Sequence, residues 1–123
     1  LGGPALALMG DLTFLHDSNG LAIGPGEPRP DLRLVVGDDS GGAIFATLEY
    51  GEDRFAGVFE RAFATPSGVD LAVLAASYGV PVTIVETDAD LAVALGRPIK
   101  GVDVVIVKLD RSNRRQLSQA LLG

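Results

Sequence analysis

The sequence predicts an α/β fold, a three-layer sandwich in which helices cover both faces of a mostly parallel β-sheet. Short apolar runs alternate with segments of helical character along the 123 residues, which is typical of buried parallel strands joined by crossover helices. Hydrophobic residues make up 47% of the chain, an ordinary share for a globular protein. We therefore expect a single domain over residues 1–123 with its own core.

The first half of the chain contains two predicted strands. Ala5–Met9 and Leu32–Val36 are continuous apolar runs of strand length, and Leu12 to about Ile23 has helical spacing, with Asp11 as a candidate cap. Residues 24–30 contain three prolines and two glycines, so they must form a loop between these elements.

The second half continues the alternation of helices and strands. A short helix is expected to begin near Gly42, after the second strand. Longer helices are predicted at about Val69 to Tyr78, Asp88 to Leu95 and Ser112 to Leu122, and strands at Val82 to Val85 and Val102 to Leu109.

Charge and composition exclude several classes of function. The net charge is −6, from 10 basic and 16 acidic residues, so a nucleic-acid partner is not expected. The absence of cysteine excludes disulfides, thiolate metal sites and cysteine nucleophiles. The hydrophobic runs are short and interrupted, so we expect no membrane span and no signal peptide, and a cytoplasmic location by default.

Two strand ends carry the clearest functional signal. The apolar runs before Asp11 and before Asp38-Asp39 both end in glycine and lead into helices. Because parallel strands end at the same edge of a sheet, these carboxylates should lie at one edge. Carboxylates and helix N-termini together suit Mg²⁺ and a phosphate group, so we expect a metal-diphosphate site there.

The motifs at these strand ends resemble a known family of thiamine diphosphate enzymes. The usual Gly-Asp-Gly and Asn-Asn motifs are altered here, with Leu12 in place of the third glycine and Asp38-Asp39 in place of the asparagines. The chain from Gly10 to about Arg111 is similar to the C-terminal domain of the 2-succinyl-5-enolpyruvyl-6-hydroxy-3-cyclohexene-1-carboxylate synthases of menaquinone biosynthesis. The stretches that carry this resemblance are 10–21, 39–45, 63–70 and 77–79.

The resemblance implies a thiamine diphosphate-binding fold and a set of binding residues. Magnesium ligands would be the carboxylates of Asp11 and Asp39 and the main-chain carbonyl of Gly41. The full set of implied cofactor contacts is Asp11, Leu12, Thr13, Asp39, Ser40, Gly41 and Ile44. Apolar side chains facing the substrate would be Ile44, Phe45 and Leu48, which alternatively pack in the core. No catalytic residue is expected in this fragment.

The resemblance also implies what the rest of the protein contributes. The chain opens at Leu1 without an initiator methionine and is interpreted as the C-terminal fragment of a longer multidomain enzyme. A pyrimidine-binding N-terminal domain, in the same chain and in a second subunit of a homo-oligomer, would activate the cofactor. The whole enzyme would decarboxylate 2-oxoglutarate and add the resulting carbanion to isochorismate, whereas the isolated fragment would be inactive.

Alternative interpretations remain at this stage. The predicted metal-diphosphate site is shared with other thiamine diphosphate enzymes, of the acetolactate synthase or 2-oxo acid decarboxylase type. A module that binds the cofactor without catalysis would have the same sequence motifs. His16 is expected to be a structural histidine, and Asp38 is either a neighbour of the metal ligands or a turn residue. An apolar stripe at helical spacing either packs on the domain's own core or covers the cofactor or a partner domain; it comprises Phe55, Val58, Phe59, Ala62 and Phe63.

Overall fold

A computed structural model describes residues 3–122 of the chain. Within this range the strands are β1 (Ala5–Gly10), β2 (Leu32–Asp38), β3 (Val82–Val85) and β4 (Val102–Lys108). The α-helices are α1 (Asp11–Asp17), α2 (Ala56–Phe59), α3 (Leu71–Ser77), α4 (Asp88–Gly96) and α5 (Arg114–Leu122).

Contacts between residues divide the chain into two compact units. The first unit comprises Leu1–Asp38 and Val69–Lys108, and it contains all four of these strands. The second unit comprises Asp39–Gly68 and Leu109–Gly123, and its described part is made of short helical segments and α5. The predicted site residues are therefore distributed over both units.

The sheet of the first unit is entirely parallel, in the order β1-β2-β4-β3. Gly10 at the end of β1 lies opposite Gly37 in β2. Consequently Asp11 and Asp38, the next residue in each case, emerge at the same carboxyl edge, as the sequence predicts. The prediction of an α/β fold with a parallel sheet is confirmed.

Two apolar layers cover the faces of this sheet. On one face, side chains of α1 and α3 pack with alternate residues of β2 and β4; this cluster includes Phe14, Leu71, Ala75, Leu34, Val36, Val104 and Ile106. On the other face, Leu91 and Ala94 of α4 pack with Val35, Val85 and Val105. The alternation of side chains along β2 and β4 thus produces the expected three layers within the first unit.

Helix α1 differs from its predicted form at both ends. Gly10 occupies the N-cap position, and Asp11 is instead the first helical residue. The helix ends at Asp17 and passes into a 3₁₀ turn, Ser18–Leu21. This turn is rich in residues of low helix propensity, and the Ser18 hydroxyl donates a 3.1 Å hydrogen bond to the Leu15 carbonyl.

Side-chain caps fix the starts of the next two helices of the first unit. The Asp70 carboxylate accepts hydrogen bonds from the backbone N–H groups of Ala72 and Val73 at 2.9 and 3.1 Å. The Thr87 hydroxyl accepts one from Asp90 N–H at 3.2 Å. Because each cap satisfies N–H groups that have no helical partner, α3 begins at Leu71 and α4 at Asp88.

The second unit is less regular than its apolar stripe predicts. Residues 53–64 form a 3₁₀ turn, then α2, then a π-helical turn at Glu60–Ala64. The stripe is only partly buried, since Val58 is 53% exposed. Phe59 packs on Phe63 with ring centroids 6.2 Å apart, and Phe63 packs on Phe45 with ring centroids 6.1 Å apart.

A buried arginine ties α4 to the sheet in the first unit. Arg33 in β2 is 3% exposed and lies directly opposite Asp103 in β4. Its Nε and Nη2 donate to the two Asp103 carboxylate oxygens at 2.8 and 2.9 Å, and Nη1 donates to the Ala94 and Arg97 carbonyls at 2.7 and 3.0 Å. The hydrogen bond to Asp103 raises the Arg33 pKa above its ordinary value, although burial acts in the opposite direction.

Replacing Arg33 by methionine should destabilise the first unit. The variant removes the hydrogen bonds that Arg33 donates to the Asp103 carboxylate and to the Ala94 and Arg97 carbonyls, and we expect a loss of about 3 kcal/mol in the free energy of unfolding. Urea unfolding followed by circular dichroism measures this loss, with Arg97→Met as the control because its side chain is exposed. A loss no larger than that of the control would contradict this role of Arg33.

Candidate functional site

Asp11 is held at the carboxyl edge of the sheet in the first unit. It is 7% exposed, and its Oδ1 accepts a 2.7 Å hydrogen bond from Leu12 N–H. Leu12 and Thr13 complete the first turn of α1, where backbone N–H groups lack carbonyl partners within the helix. The structure therefore brings together the three predicted residues of the first unit.

Asp38 is the last residue of β2 and not a turn residue. It is 9% exposed and lies opposite Lys108, whose Nζ is 2.5 Å from Asp38 Oδ2. The hydrogen bond to Asp38 raises the Lys108 pKa, an effect that burial partly opposes and the Asp38 charge reinforces. This edge consequently carries a lysine that the sequence motifs did not single out.

Asp39, Ser40 and Gly41 form a tight turn at the start of the second unit. Both Ser40 and Gly41 have positive φ angles, 62° and 138°. A Cβ added to Gly41 would lie 2.2 Å from the Ala64 carbonyl oxygen, a distance that no side chain tolerates. The same carbonyl accepts a 2.7 Å hydrogen bond from Gly42 N–H, so the turn is anchored where only glycine fits.

Arg111 lies beside this glycine turn within the second unit. Its Nη2 donates to Glu60 Oε2 at 2.6 Å, and a Cβ added to Gly41 would be 3.5 Å from its Nη1. Nη1 is buried and has no hydrogen-bond acceptor among the described residues. The sequence motifs did not single out Arg111 as a site residue, because its partner Glu60 lies 51 residues away in the chain.

The predicted apolar wall of the substrate site, which consists of Ile44, Phe45 and Leu48, is largely exposed. Ile44 and Leu48 are 64% and 47% exposed, so neither is a core residue of its unit. Phe45 is half-buried, and it packs against Phe63 and over Gly42. Core packing, the alternative interpretation of these three residues, therefore applies only to Phe45.

A metal site made only of histidine, cysteine or acidic side chains has no support in the described part of the chain. Residues 3–122 contain no cluster of three or more histidine, cysteine or acidic side chains able to hold a metal ion. A metal at the predicted position would accordingly need backbone and ligand oxygens in addition to carboxylates.

His16 is exposed in the last turn of α1. No helix within the described range has the length and apolar character needed to cross a membrane.

Comparison with solved structures identifies the fold. The chain superimposes on a benzoylformate decarboxylase from Polynucleobacter necessarius with a TM-score of 0.65 and 24% sequence identity. The match covers 90% of this chain and 20% of that chain. This likeness confirms the predicted fold class.

Comparison with other sequences gives closer matches. No family model matches the chain. It is 57% identical over 117 residues to the 2-succinyl-5-enolpyruvyl-6-hydroxy-3-cyclohexene-1-carboxylate synthase of Rhodococcus erythropolis. The aligned region covers 94% of this chain and 22% of that relative. It is 51% identical to the synthase of Saccharopolyspora erythraea, over 98% of this chain and 21% of the relative.

The chain thus spans about a fifth of the length of these relatives. A synthase of the same name from Nocardia farcinica is 53% identical over 116 residues. Such agreement over nearly the whole chain confirms the resemblance that the sequence motifs carry. This chain is related, along almost all of its length, to one segment of the 2-succinyl-5-enolpyruvyl-6-hydroxy-3-cyclohexene-1-carboxylate synthase family.

Proposed function

We propose that this chain binds the diphosphate end of thiamine diphosphate together with Mg²⁺ in a synthase of menaquinone biosynthesis. The observation that carries the proposal is the pair of aspartates that follow β1 and β2 in a chain 57% identical to a named synthase. Asp11 is already buried at the carboxyl edge of its sheet. Ligands of α/β proteins bind outside this edge.

The chemistry of the donor groups fits a magnesium ion. Asp11, Asp39 and the Gly41 carbonyl offer only hard oxygen atoms, which Mg²⁺ prefers. Two carboxylates and a few phosphate or water oxygens are a common set for this ion. The Gly41 carbonyl accepts a 3.1 Å hydrogen bond from Ala43 N–H, and a carbonyl oxygen has a second lone pair that can bind a metal.

The diphosphate would be bound mainly by backbone groups. Leu12 and Thr13 lie in the first turn of α1, whose N–H groups suit an anion, and Ser40 precedes Gly41 in the glycine turn. Asp39 adds a negative charge where the usual thiamine diphosphate motif has asparagine, so it favours the metal but repels a bare diphosphate. We therefore expect metal and cofactor to bind together.

Apolar side chains of the second unit would border the reacting groups. Thiamine diphosphate supplies the decarboxylation and carbanion chemistry when bound. Ile44 and Leu48, which are exposed, and Phe45, which is fixed by Phe63, would exclude water there. Ile44 would touch both cofactor and substrate.

The activity of the whole protein is part of the proposal. The full-length enzyme would decarboxylate 2-oxoglutarate and join the product to isochorismate, with a pyrimidine-binding domain of the same chain and of a second subunit completing the site. This assignment makes the enzyme a transferase that works as a homo-oligomer in the cytoplasm. A decarboxylase of the benzoylformate type is the second candidate, because the fold is shared, but that match is only 24% identical.

Removing either carboxylate should abolish the joint binding of Mg²⁺ and cofactor. In the full-length enzyme we expect Asp11→Ala and Asp39→Ala to weaken thiamine diphosphate binding at least ~100-fold, because each removes a charged metal ligand. Isothermal titration at fixed Mg²⁺ measures the affinity. Asp17→Ala is the matched control, since Asp17 is exposed at the end of α1. Undiminished binding by both variants would refute the metal assignment.

Truncating the apolar wall should affect turnover more than cofactor affinity. We expect Ile44→Ala in the full-length enzyme to lower kcat/KM roughly tenfold with little change in the dissociation constant of thiamine diphosphate. Val93→Ala serves as the control, because Val93 is an exposed β-branched residue of α4 and lies outside the apolar stripe. If the two variants have equal kcat/KM, Ile44 does not face the substrate.

The isolated 123-residue chain should not catalyse the reaction. It carries the proposed diphosphate site, but it has no glutamate placed at the cofactor's pyrimidine by another domain. The measurement is CO₂ release from 2-oxoglutarate by the purified chain with Mg²⁺ and thiamine diphosphate, beside the full-length enzyme. Comparable turnover would show that the missing part is dispensable.

A further inference from the structure

We propose that Arg111 is a positioning residue for the glycine turn, which consists of Asp39, Ser40, Gly41 and Gly42. The inference rests on the proposed function, because it assigns a task to Arg111 in the binding of metal and diphosphate by that turn. All residues in the argument belong to the second unit. They come from three separate stretches of sequence, namely 39–42, 60–64 and Arg111.

The guanidinium of Arg111 is fixed at one end by an ion pair. Its Nη2 lies 2.6 Å from Glu60 Oε2 at the start of the π-helical turn Glu60–Ala64. The Glu60 side chain is 59% exposed, so this ion pair contributes little to stability. Its effect is instead geometric, because a planar guanidinium held at one nitrogen has a restricted orientation.

The other end of the guanidinium is directed at the turn. A Cβ on Gly41 would lie 3.5 Å from Arg111 Nη1, and 2.2 Å from the carbonyl oxygen of Ala64, which ends the same π-helical turn. Gly41 is thus confined between Ala64 and Arg111. The Gly41 carbonyl, a proposed metal ligand, accepts a 3.1 Å hydrogen bond from Ala43 N–H in the same segment, so its position depends on how the turn is held.

Burial reduces the solvent screening of the Arg111 positive charge near the glycine turn. The Arg111 side chain is 25% exposed, and its Nη1 is fully buried without an acceptor among the described residues. A desolvated guanidinium N–H group is costly for stability alone. Close to the turn, however, its poorly screened charge offsets the negative charge that Asp39 contributes and favours an incoming diphosphate.

Substitutions in the full-length enzyme test this role. Arg111→Met removes both the planar group and the charge, and we expect thiamine diphosphate binding at fixed Mg²⁺ to weaken at least ~10-fold. Arg111→Lys retains the charge but cannot contact Glu60 and Gly41 at once, so it should recover only part of the loss. Arg114→Met is the matched control, because Arg114 is a neighbouring exposed arginine.

Thermal unfolding of the cofactor-free enzyme separates positioning from simple stability. We expect the Tm of Arg111→Met to stay within about 2 °C of the Arg114→Met control. If Arg111→Met does not fold well, Glu60→Gln tests the positioning role instead, because it removes only the exposed carboxylate charge that pairs with Arg111. That variant should bind the cofactor about threefold more weakly at an unchanged Tm.

The outcomes distinguish this inference from the proposed function. Wild-type affinity in Arg111→Met would overturn the role of Arg111, as would wild-type affinity in Glu60→Gln if Arg111→Met fails to fold. Asp39→Ala, measured beside them, tests the site itself. If Asp39→Ala loses cofactor binding while the Arg111 variants retain it, the proposed function stands without the positioning role. If Asp39→Ala and Asp11→Ala both bind the cofactor normally, the metal assignment of the proposed function is refuted.

Discussion

The parallel alignment of β1 and β2 is the constraint on which the account depends. With Gly10 opposite Gly37, any residue that follows either strand must emerge at the same edge of the sheet. Burial of β2 on both faces restricts this register, because a shift of β2 by one residue would turn Val35 and Val36 to the wrong sides. Strand β1 packs on the core only through Ala7 and Met9, and its Leu8 is 76% exposed. The Asp11 carboxylate therefore occupies its position as a consequence of core packing, and α1 begins directly beside it.

The second unit achieves order by different means. Its described core is small, and aromatic pairs together with the backbone hydrogen bond from Gly42 N–H to the Ala64 carbonyl hold the glycine turn in a left-handed conformation. Gly41 and Gly42 are buried within this turn, whereas Ser40 is exposed. Backbone groups of left-handed turns commonly bind phosphate in proteins. Arg111 adds a positive charge that the acidic turn itself lacks.

The strands and the acidic edge followed from the sequence, whereas the ion pairs did not. Apolar periodicity predicted both ends of β3 correctly, and the Gly-Asp motifs predicted the position of Asp11 at the carboxyl edge of the sheet. The pairs Asp38–Lys108 and Arg33–Asp103 each join residues 70 positions apart, and only the register of β2 and β4 brings them together. Arg33 interrupts an apolar run, which is the one sequence signal for its buried role. The short helix predicted near Gly42 is present as the 3₁₀ turn Ala43–Thr47, but the 3₁₀ and π-helical geometry of residues 43–64 escaped prediction because packing, and not propensity, determines it.

Anomalous diffraction from full-length enzyme crystals grown with Mn²⁺ and thiamine diphosphate is the most direct test of the central claim. Manganese takes the same oxygen ligands as magnesium and can be located by its own scattering. The account predicts a peak within coordination distance of the carboxylates of Asp11 and Asp39, the Gly41 carbonyl and the diphosphate. A manganese peak bound to the diphosphate but distant from both aspartates would contradict it.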